Sequence, residues 1–405
     1  MNSNVHRSPV TDCLILDNSH SIVSSSTDGA LHLWRVDAAG NNPISNSTNQ
    51  APSNNMVSSS LAPIMVQGTT IIKEMNVEEE GAVGNLMHFN SDQSSLILFT
   101  TQRGCLHSWD LRTSKEPFKY TVPPEFGSVV STCHSPSKNG VWVCLGTSLG
   151  YLLLYDLRFN MLSGLWRISS HTPIMRMAAS NTIPGVSAPG YLNPETPSDG
   201  AFLFVASGGN DCNIFSIPDG GEAVKCFRSQ PLSFSHYDEY QESTQPLPSL
   251  ITLSPHYKPP ISPVVEDPRK AEVSSNHSVQ AIMGRISHST TSFLLTGGTD
   301  QQIRYWDFTS AAKCFTISGD LVGQPQSSYD SPSIPGAYGK LVICHEFSTS
   351  PQDLCLSSQL PQREERGIVP PSPGHTDTIT DLKGIDLPLR MVLSSSRDGT
   401  IKGWR

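Results

Sequence analysis

The sequence predicts an all-β fold, a β-propeller, and three observations predict it. One short pattern recurs six times in the 405 residues: small residues, a turn with Asp or Gly, a strand-like run, then an aromatic. Two of those aromatics are separated by one blade-sized step. Charged residues make up only 16 %, while Gly (30) and Pro (31) are plentiful, which suits many short strands joined by turns. A repeat fixes architecture first, because one copy cannot bury its apolar face alone and must stack on its neighbours.

The copies follow in order. The first is Ser24-Ser25-Ser26-Thr27-Asp28-Gly29 running to Trp34, the second Thr100-Thr101-Gln102-Arg103-Gly104 to Trp109-Asp110, and the third Gly146-Thr147-Ser148-Leu149-Gly150 to Tyr155-Asp156. The fourth is Ser207-Gly208-Gly209-Asn210-Asp211 to Phe215, the fifth Gly297-Gly298-Thr299-Asp300 to Trp306-Asp307, and the last Ser394-Ser395-Ser396-Arg397-Asp398-Gly399 to Trp404. Each reads as strand, tight turn, strand: Asp and Gly take the special turn dihedrals, and alternating residues such as Leu31 and Leu33 fit a pleated strand. This is the WD-repeat signature.

A blade needs roughly 40–45 residues. The step from Trp109 to Tyr155 is one blade, whereas Trp34 to Trp109 is long enough for nearly two. The expectation is therefore six clear blades, with room for a degenerate seventh around residues 63–77. After Trp404 only Arg405 remains, so the last blade is expected to be incomplete, lacking its outer strand unless upstream residues of a longer parent supply it.

The whole chain, 1–405, reads as a single propeller interrupted by four flexible loop insertions, 37–63, 230–272, 318–336 and 348–373. Residues 37–63 are rich in Asn, Ser and Pro and cannot bury enough apolar surface to offset their ordering entropy. Such loops emerge at propeller rims, where partners dock. Ser254-Pro255, Ser262-Pro263 and Ser372-Pro373 are candidate proline-directed phosphorylation sites on composition alone.

The net charge of −9, with no run of Lys and Arg, argues against a nucleic-acid-binding surface. The longest apolar runs, such as residues 152–155, are strand length, far short of the ~20 residues of a membrane-spanning helix. The N-terminus has no signal-peptide shape, and Asn2 stands where myristoylation requires glycine. A cytosolic protein is expected, without direct membrane insertion, or one held at a membrane by partners. The nine cysteines are scattered without a Cys-x-x-Cys pair and read as reduced thiols, several on strands. The sequons Asn46-Ser47-Thr48 and Asn276-His277-Ser278 are expected to stay bare.

Two apparent active sites dissolve on inspection. Gly146-Thr147-Ser148-Leu149-Gly150 has the form of a hydrolase nucleophile elbow, but that elbow needs a helix after the Ser, and a β-type run follows here. His375, a Ser from 394–396, Asp398 and Trp404 suggest a triad, yet His6, a Ser from 24–26, Asp28 and Trp34 repeat the set with the same Asp-to-Trp gap. A triad occurs once, whereas a buried hydrogen-bond network recurs from blade to blade. Trp109, Asp110, Asp300, Trp306 and Asp307 are the further members expected in such structural networks. The thirteen His show no metal-ligand spacing, and there is no phosphate-binding Gly-rich loop and no kinase motif. The expectation is a non-catalytic binding platform without cofactor or metal.

The order of the blades goes further. His88-Phe89-Asn90 leads to Gly104-Cys105-Leu106-His107-Ser108-Trp109-Asp110-Leu111-Arg112, then to Val141-Trp142-Val143-Cys144-Leu145 and Tyr155-Asp156-Leu157-Arg158. Gly297-Gly298-Thr299-Asp300-Gln301-Gln302-Ile303-Arg304-Tyr305-Trp306-Asp307 and Gly374-His375-Thr376-Asp377 stand near the end. This ordered series resembles the C-terminal WD-repeat domain of the regulatory, protein-kinase-like subunit of the class III phosphatidylinositol 3-kinase complex. The resemblance implies a scaffold whose partners are the class III catalytic subunit and Beclin-type subunits, acting peripherally at endosomal and autophagic membranes. The kinase-like domain, the helical solenoid and the lipidation site of that family have no counterpart in this sequence, so a fragment, truncated gene model or short isoform is expected. An alternative comes from Trp109-Asp110-Leu111-Arg112 and Tyr155-Asp156-Leu157-Arg158, two consecutive Asp-x-Arg boxes. In WD-repeat substrate receptors of cullin ubiquitin ligases such Arg residues contact the adaptor, which makes Arg112 and Arg158 candidate partner contacts. The competing reading pairs them with a neighbouring blade's carboxylate or leaves them on the rim.

Overall fold

The computed structural model of the chain describes residues 6–16, 19–38, 64–90, 95–113, 116–135, 142–180, 202–208, 211–217, 220–232, 249–259, 278–285, 293–317, 326–331, 340–347, 374–385 and 391–404. They are almost entirely β and form six blades of a WD-repeat β-propeller. The blades fall in two compact units, Met1–Val122 with two and Pro123–Arg405 with four.

In the first unit, β1 (Val10–Ile15), β2 (Ser21–Ser26), β3 (Ala30–Ala38) and β4 (Ile64–Glu74) form an antiparallel meander. A single helical turn, α1 (Val77–Glu80), follows, capped by the Asn76 side chain, which accepts from the Glu78 backbone N–H. The second blade is β5 (Val83–Asn90), β6 (Ser95–Thr101), β7 (Cys105–Asp110) and β8 (Lys119–Thr121). The register of β4 against β3 corrects the expectation of a degenerate seventh blade: residues 64–74 are the outer strand of the first blade. A strand that returns after a long Asn/Ser/Pro stretch has the spacing, but not the pairing, of a separate blade.

In the second unit, β9 (Val129–His134), β10 (Trp142–Thr147), β11 (Tyr151–Asp156) and β12 (Met161–Ile168) form the third blade. The fourth is β13 (Ile174–Ser180), β14 (Phe202–Ser207), β15 (Asp211–Ser216) and β16 (Glu222–Leu232). Next along the chain, β17 (Leu250–Thr252) adds to the outer edge of the third blade, against β12. The fifth blade is β18 (Val279–Arg285), β19 (Phe293–Gly298), β20 (Ile303–Asp307) and β21 (Phe315–Thr316). Then β22 (Gln326–Asp330) and β23 (Leu341–Phe347) form a hairpin whose second strand runs parallel to β16 of the fourth blade. The sixth sheet has three strands among the described residues, β24 (Ile379–Ile385), β25 (Met391–Ser396) and β26 (Ile401–Trp404).

Strand residues therefore lie inside three segments read as loops: the end of β3 in 37–63, the end of β16 and all of β17 in 230–272, and β22 in 318–336. Both additions protect an open sheet edge. Residues 39–63 and 348–373, the Asn46 sequon, Asn276-His277, Ser262-Pro263 and Ser372-Pro373 lie outside the described residues.

The core sits between successive sheets. One cluster joins Val23 and Leu31 to Ile97 and Phe99 in the first unit. In the second unit Cys144, Leu152 and Trp166 meet Ile174, Leu203 and Phe215, and Ala281, Leu295 and Ile303 meet Ile379 and Leu382. Val342 and Cys344 of the inserted hairpin extend the cluster of Phe204, Phe227 and Trp306 between the fourth and fifth blades. Tyr329 packs edge-on to Trp306 at 5.5 Å and shares a 2.9 Å hydrogen bond with Thr316.

This packing explains the small residues of the repeat. A Cβ on Gly146 would stand 2.5 Å from the Ile174 side chain of the next blade, and one on Gly297 2.7 Å from Ile379. The last positions of the second strand lie directly under the neighbouring sheet, so only Ser, Thr, Ala or Gly fits. The turns use Gly29, Gly104, Gly150 and Gly399 at φ of 77–86°, a region a side chain rarely enters. Ser148 lies in such a turn and is followed by β11, strand into strand, without the helix of a nucleophile elbow.

Candidate functional site

The register defines one structurally equivalent position on the second strand of every blade: Ser24, Phe99, Leu145, Val205, Thr296 and Ser394. Three blades place a hydroxyl there and three an apolar side chain.

In the first blade the Trp34 indole N–H donates to Ser24 Oγ (2.6 Å), which sits 2.7 Å from His6 Nε2. On the far side of the ring His6 Nδ1 faces Asp28 at 3.6 Å, beyond hydrogen-bond distance. Asp28 in turn accepts from the backbone N–H groups of Arg7 (2.8 Å) and Ala30 (3.0 Å). Partial burial pushes the Asp28 carboxyl up, but these hydrogen bonds outweigh it and hold its pKa below the usual value.

The sixth blade repeats the chain. Trp404 N–H donates to Ser394 Oγ (2.7 Å), Ser394 meets His375 Nε2 (2.6 Å), and His375 Nδ1 lies 3.2 Å from Asp398. The Thr400 hydroxyl (2.7 Å) and the Thr376 N–H (2.9 Å) also donate to Asp398 and hold its carboxyl far below the ordinary range. In the fifth blade Trp306 N–H donates to Thr296 (2.8 Å), while Asp300 is paired with the buried Arg304 guanidinium at 2.5 Å.

Asp110 and Asp307 stand apart from these chains. Asp110 accepts from the Arg112 N–H at 2.9 Å, and Asp307 from the N–H groups of Thr309 (2.8 Å) and Ser310 (3.0 Å). Each closes the turn after the third strand of its blade. Trp109 packs beside Phe99, Leu111 and Leu33 in the apolar cluster of the first unit.

In place of a Trp-to-Asp chain, the second blade carries a different polar group around Glu80. Gly81, at φ 75°, ends α1 and directs Glu80 toward the start of β7, where Cys105 and His107 sit two residues apart on one face. Glu80 accepts from Thr101 Oγ1 (3.1 Å) and Lys119 Nζ (2.5 Å). Burial pushes its carboxyl up, yet the bonds from Lys119, Cys105 and Thr101 prevail and bring its pKa to about 2. His107 is buried, with Nδ1 2.5 Å from Glu116 and its ring stacked on Phe99 at 5.1 Å.

The two Asp-x-Arg boxes are exposed turns. The Arg158 guanidinium donates to its own Asp156 (2.8 Å) and lies over the exposed Phe159 ring at 5.3 Å. Arg112 Nε is 3.6 Å from Asp110. The Arg side chains remain 58 % and 57 % exposed for Arg112 and Arg158, and each pairs with the Asp of its own box. Eight cysteines among the described residues are unpaired thiols, and all but Cys13 are buried. No helix among the described residues is long and apolar enough to cross a membrane.

The family model "WD domain, G-beta repeat" matches residues 3–35, 272–307 and 369–405. These are the first, fifth and sixth blades, the three with a hydroxyl at the shared position. The chain is 26 % identical over 400 residues to "Serine/threonine-protein kinase VPS15" of Arabidopsis thaliana, covering 96 % of this chain and 24 % of the relative. It is 20 % identical over 482 residues to "Probable serine/threonine-protein kinase vps15" of Dictyostelium discoideum, covering 98 % and 23 %. A shorter match, 26 % over 168 residues, links it to "Putative serine/threonine-protein kinase VPS15" of Komagataella pastoris, covering 40 % and 11 %. The chain thus spans about a quarter of the length of the first two relatives. The repeats, the six-bladed fold and these similarities together make the chain a WD-repeat β-propeller of the protein-interaction kind, similar over nearly its whole length to part of VPS15 proteins.

Proposed function

We propose that this domain is a non-catalytic scaffold in a class III phosphatidylinositol 3-kinase complex, docking the lipid kinase catalytic subunit and Beclin-type subunits. The single observation that carries the reading is similarity to VPS15 proteins over 96 % of the chain. The polar chains support it: His6, Asp28 and Trp34, like His375, Asp398 and Trp404, are locked into bonds within a blade. Ser24 and Ser394 are buried and the same arrangement recurs in two blades, which suits a network that holds each blade together rather than a nucleophile open to substrate. The domain acts by presenting surface, and its place at endosomal and autophagic membranes is peripheral, through the partners.

A second reading, a cullin substrate receptor, rests on Arg112 and Arg158. Their exposure supports it, while the local pairing with Asp110 and Asp156 equally suits turns with no partner. Co-expression of the tagged chain with the class III catalytic subunit and a Beclin-type subunit, followed by size-exclusion chromatography, tests the first reading. Co-elution supports it. Separate elution, together with capture of a cullin adaptor that Arg112→Glu and Arg158→Glu abolish, replaces it with the second.

A further inference from the structure

His107 in the second blade presents an unresolved electrostatic problem. Its side chain is 1 % exposed and Nδ1 is paired with Glu116 at 2.5 Å. Nε2 has no hydrogen-bond partner and faces Glu80 Oε2 at 3.7 Å. With the proton on Nδ1 toward Glu116, two acceptors confront each other at a separation too long for a direct hydrogen bond. A positive species belongs between them. Cys105 Sγ completes the group: the Sγ, Nε2 and carboxylate oxygen of Cys105, His107 and Glu80 all lie within 4.8 Å of one another.

We propose that Glu80 Oε2, Cys105 Sγ and His107 Nε2 form a metal site that binds Zn²⁺. Zinc bonds of roughly 2.0–2.1 Å to nitrogen and oxygen in a tetrahedron put those atoms about 3.3–3.4 Å apart, so the 3.7 Å between Nε2 and Oε2 closes by a few tenths of an ångström on the ion. Thiolate with imidazole and a carboxylate selects zinc over magnesium or calcium. Glu116 on Nδ1 supplies the carboxylate–histidine contact that fixes the tautomer of a metal-bound imidazole. Charge balances: ionised Glu80 and the Cys105 thiolate neutralise Zn²⁺, while Lys119 on Glu80 and Glu116 on His107 offset one another. Binding releases the Cys105 thiol proton to solvent as the Zn–S bond forms. The fourth coordination position is left for water or a partner's side chain, since Glu80 is 12 % exposed.

Sequence spacing conceals the site. Cys105 and His107 are a strand pair rather than a Cys-x-x-Cys, and Glu80 comes from the helical turn before the blade.

The test is a titration of the reduced, metal-stripped 405-residue chain with Co²⁺, then Zn²⁺ against a chromophoric chelator. The expected result is one tight equivalent with a near-ultraviolet thiolate-to-cobalt band that Zn²⁺ abolishes. Cys105→Ser removes the band, Cys13→Ser keeps it, and Glu116→Gln weakens zinc about 10–100-fold. Should Cys105→Ser fail to fold, the Glu116→Gln shift in affinity decides. Absence of the band in the wild-type chain, its survival in Cys105→Ser, its loss in Cys13→Ser, or an unchanged affinity in Glu116→Gln each overturns the site.

Discussion

Replacing Ser394 with Ala tests the energetic weight of the Trp-to-Asp chains. Ser394 is fully buried, receives the Trp404 N–H at 2.7 Å and meets His375 Nε2 at 2.6 Å. The substitution creates almost no cavity, so its cost comes from polar groups left unpaired. Leaving a buried group without its partner costs about 1–3 kcal/mol. His375 is wholly buried and bears the full penalty, whereas the partly buried Trp404 bears less, which gives about 2–4 kcal/mol for the pair. The neighbouring Ser395 is the control: its hydroxyl bonds only to the exposed Thr380, so Ser395→Ala should stay within about 0.5 kcal/mol. Urea unfolding followed by tryptophan fluorescence, with hydrogen exchange over β24–β26, reads both. If Ser394→Ala proves as mild as Ser395→Ala, the chain is ornament and the structural reasoning behind it fails.

The remaining predictions concern acid stability, blade packing and the rim. Asp28, Asp398 and Glu80 all titrate below their ordinary values when folded. Their contribution is therefore fully present above the unfolded carboxylate pKa of roughly 4 and is lost as pH falls through the folded values. The urea midpoint should be flat from neutrality down to about pH 5 and fall below about pH 4, and Asp398→Asn should flatten that fall. Gly297→Ala drives a methyl group into Ile379 and should cost about 1–3 kcal/mol by overpacking, read in the same urea experiment and relieved by Ile379→Val. Arg112→Glu and Arg158→Glu change side chains that are mostly exposed and should leave the urea midpoint within about 0.5 kcal/mol of wild type, so that any change in docking reports contact.

Much of the fold was legible because Asp, Gly, small residues and a terminal aromatic must recur wherever blades stack. The chains at Ser24 and Ser394 were legible for the same reason, since His, Ser, Asp and Trp keep their order and spacing. What escaped was long-range. No local pattern announces that β23 will run parallel to β16, more than a hundred residues earlier in the chain, or that residues 64–74 return to β3. Substituted blades escaped as well. Phe99, Leu145 and Val205 put an apolar side chain where the other three blades have a hydroxyl, while Trp109, Tyr155 and Phe215 keep the outline of the repeat. Asp110 and Asp307 looked like members of such chains because they follow Trp, yet their carboxylates are committed to the next turn. The Glu80–Cys105–His107 group needed coordinates, since it joins a helical turn to one face of a strand.

The central proposal is that this chain serves as the docking domain of a VPS15-type subunit. Affinity purification of the tagged chain from its own cells, followed by mass spectrometry, tests it most directly. The account predicts recovery of the class III lipid kinase together with a Beclin-type subunit. Recovery of a cullin adaptor in their place would contradict it and make Arg112 and Arg158 the contacts to examine.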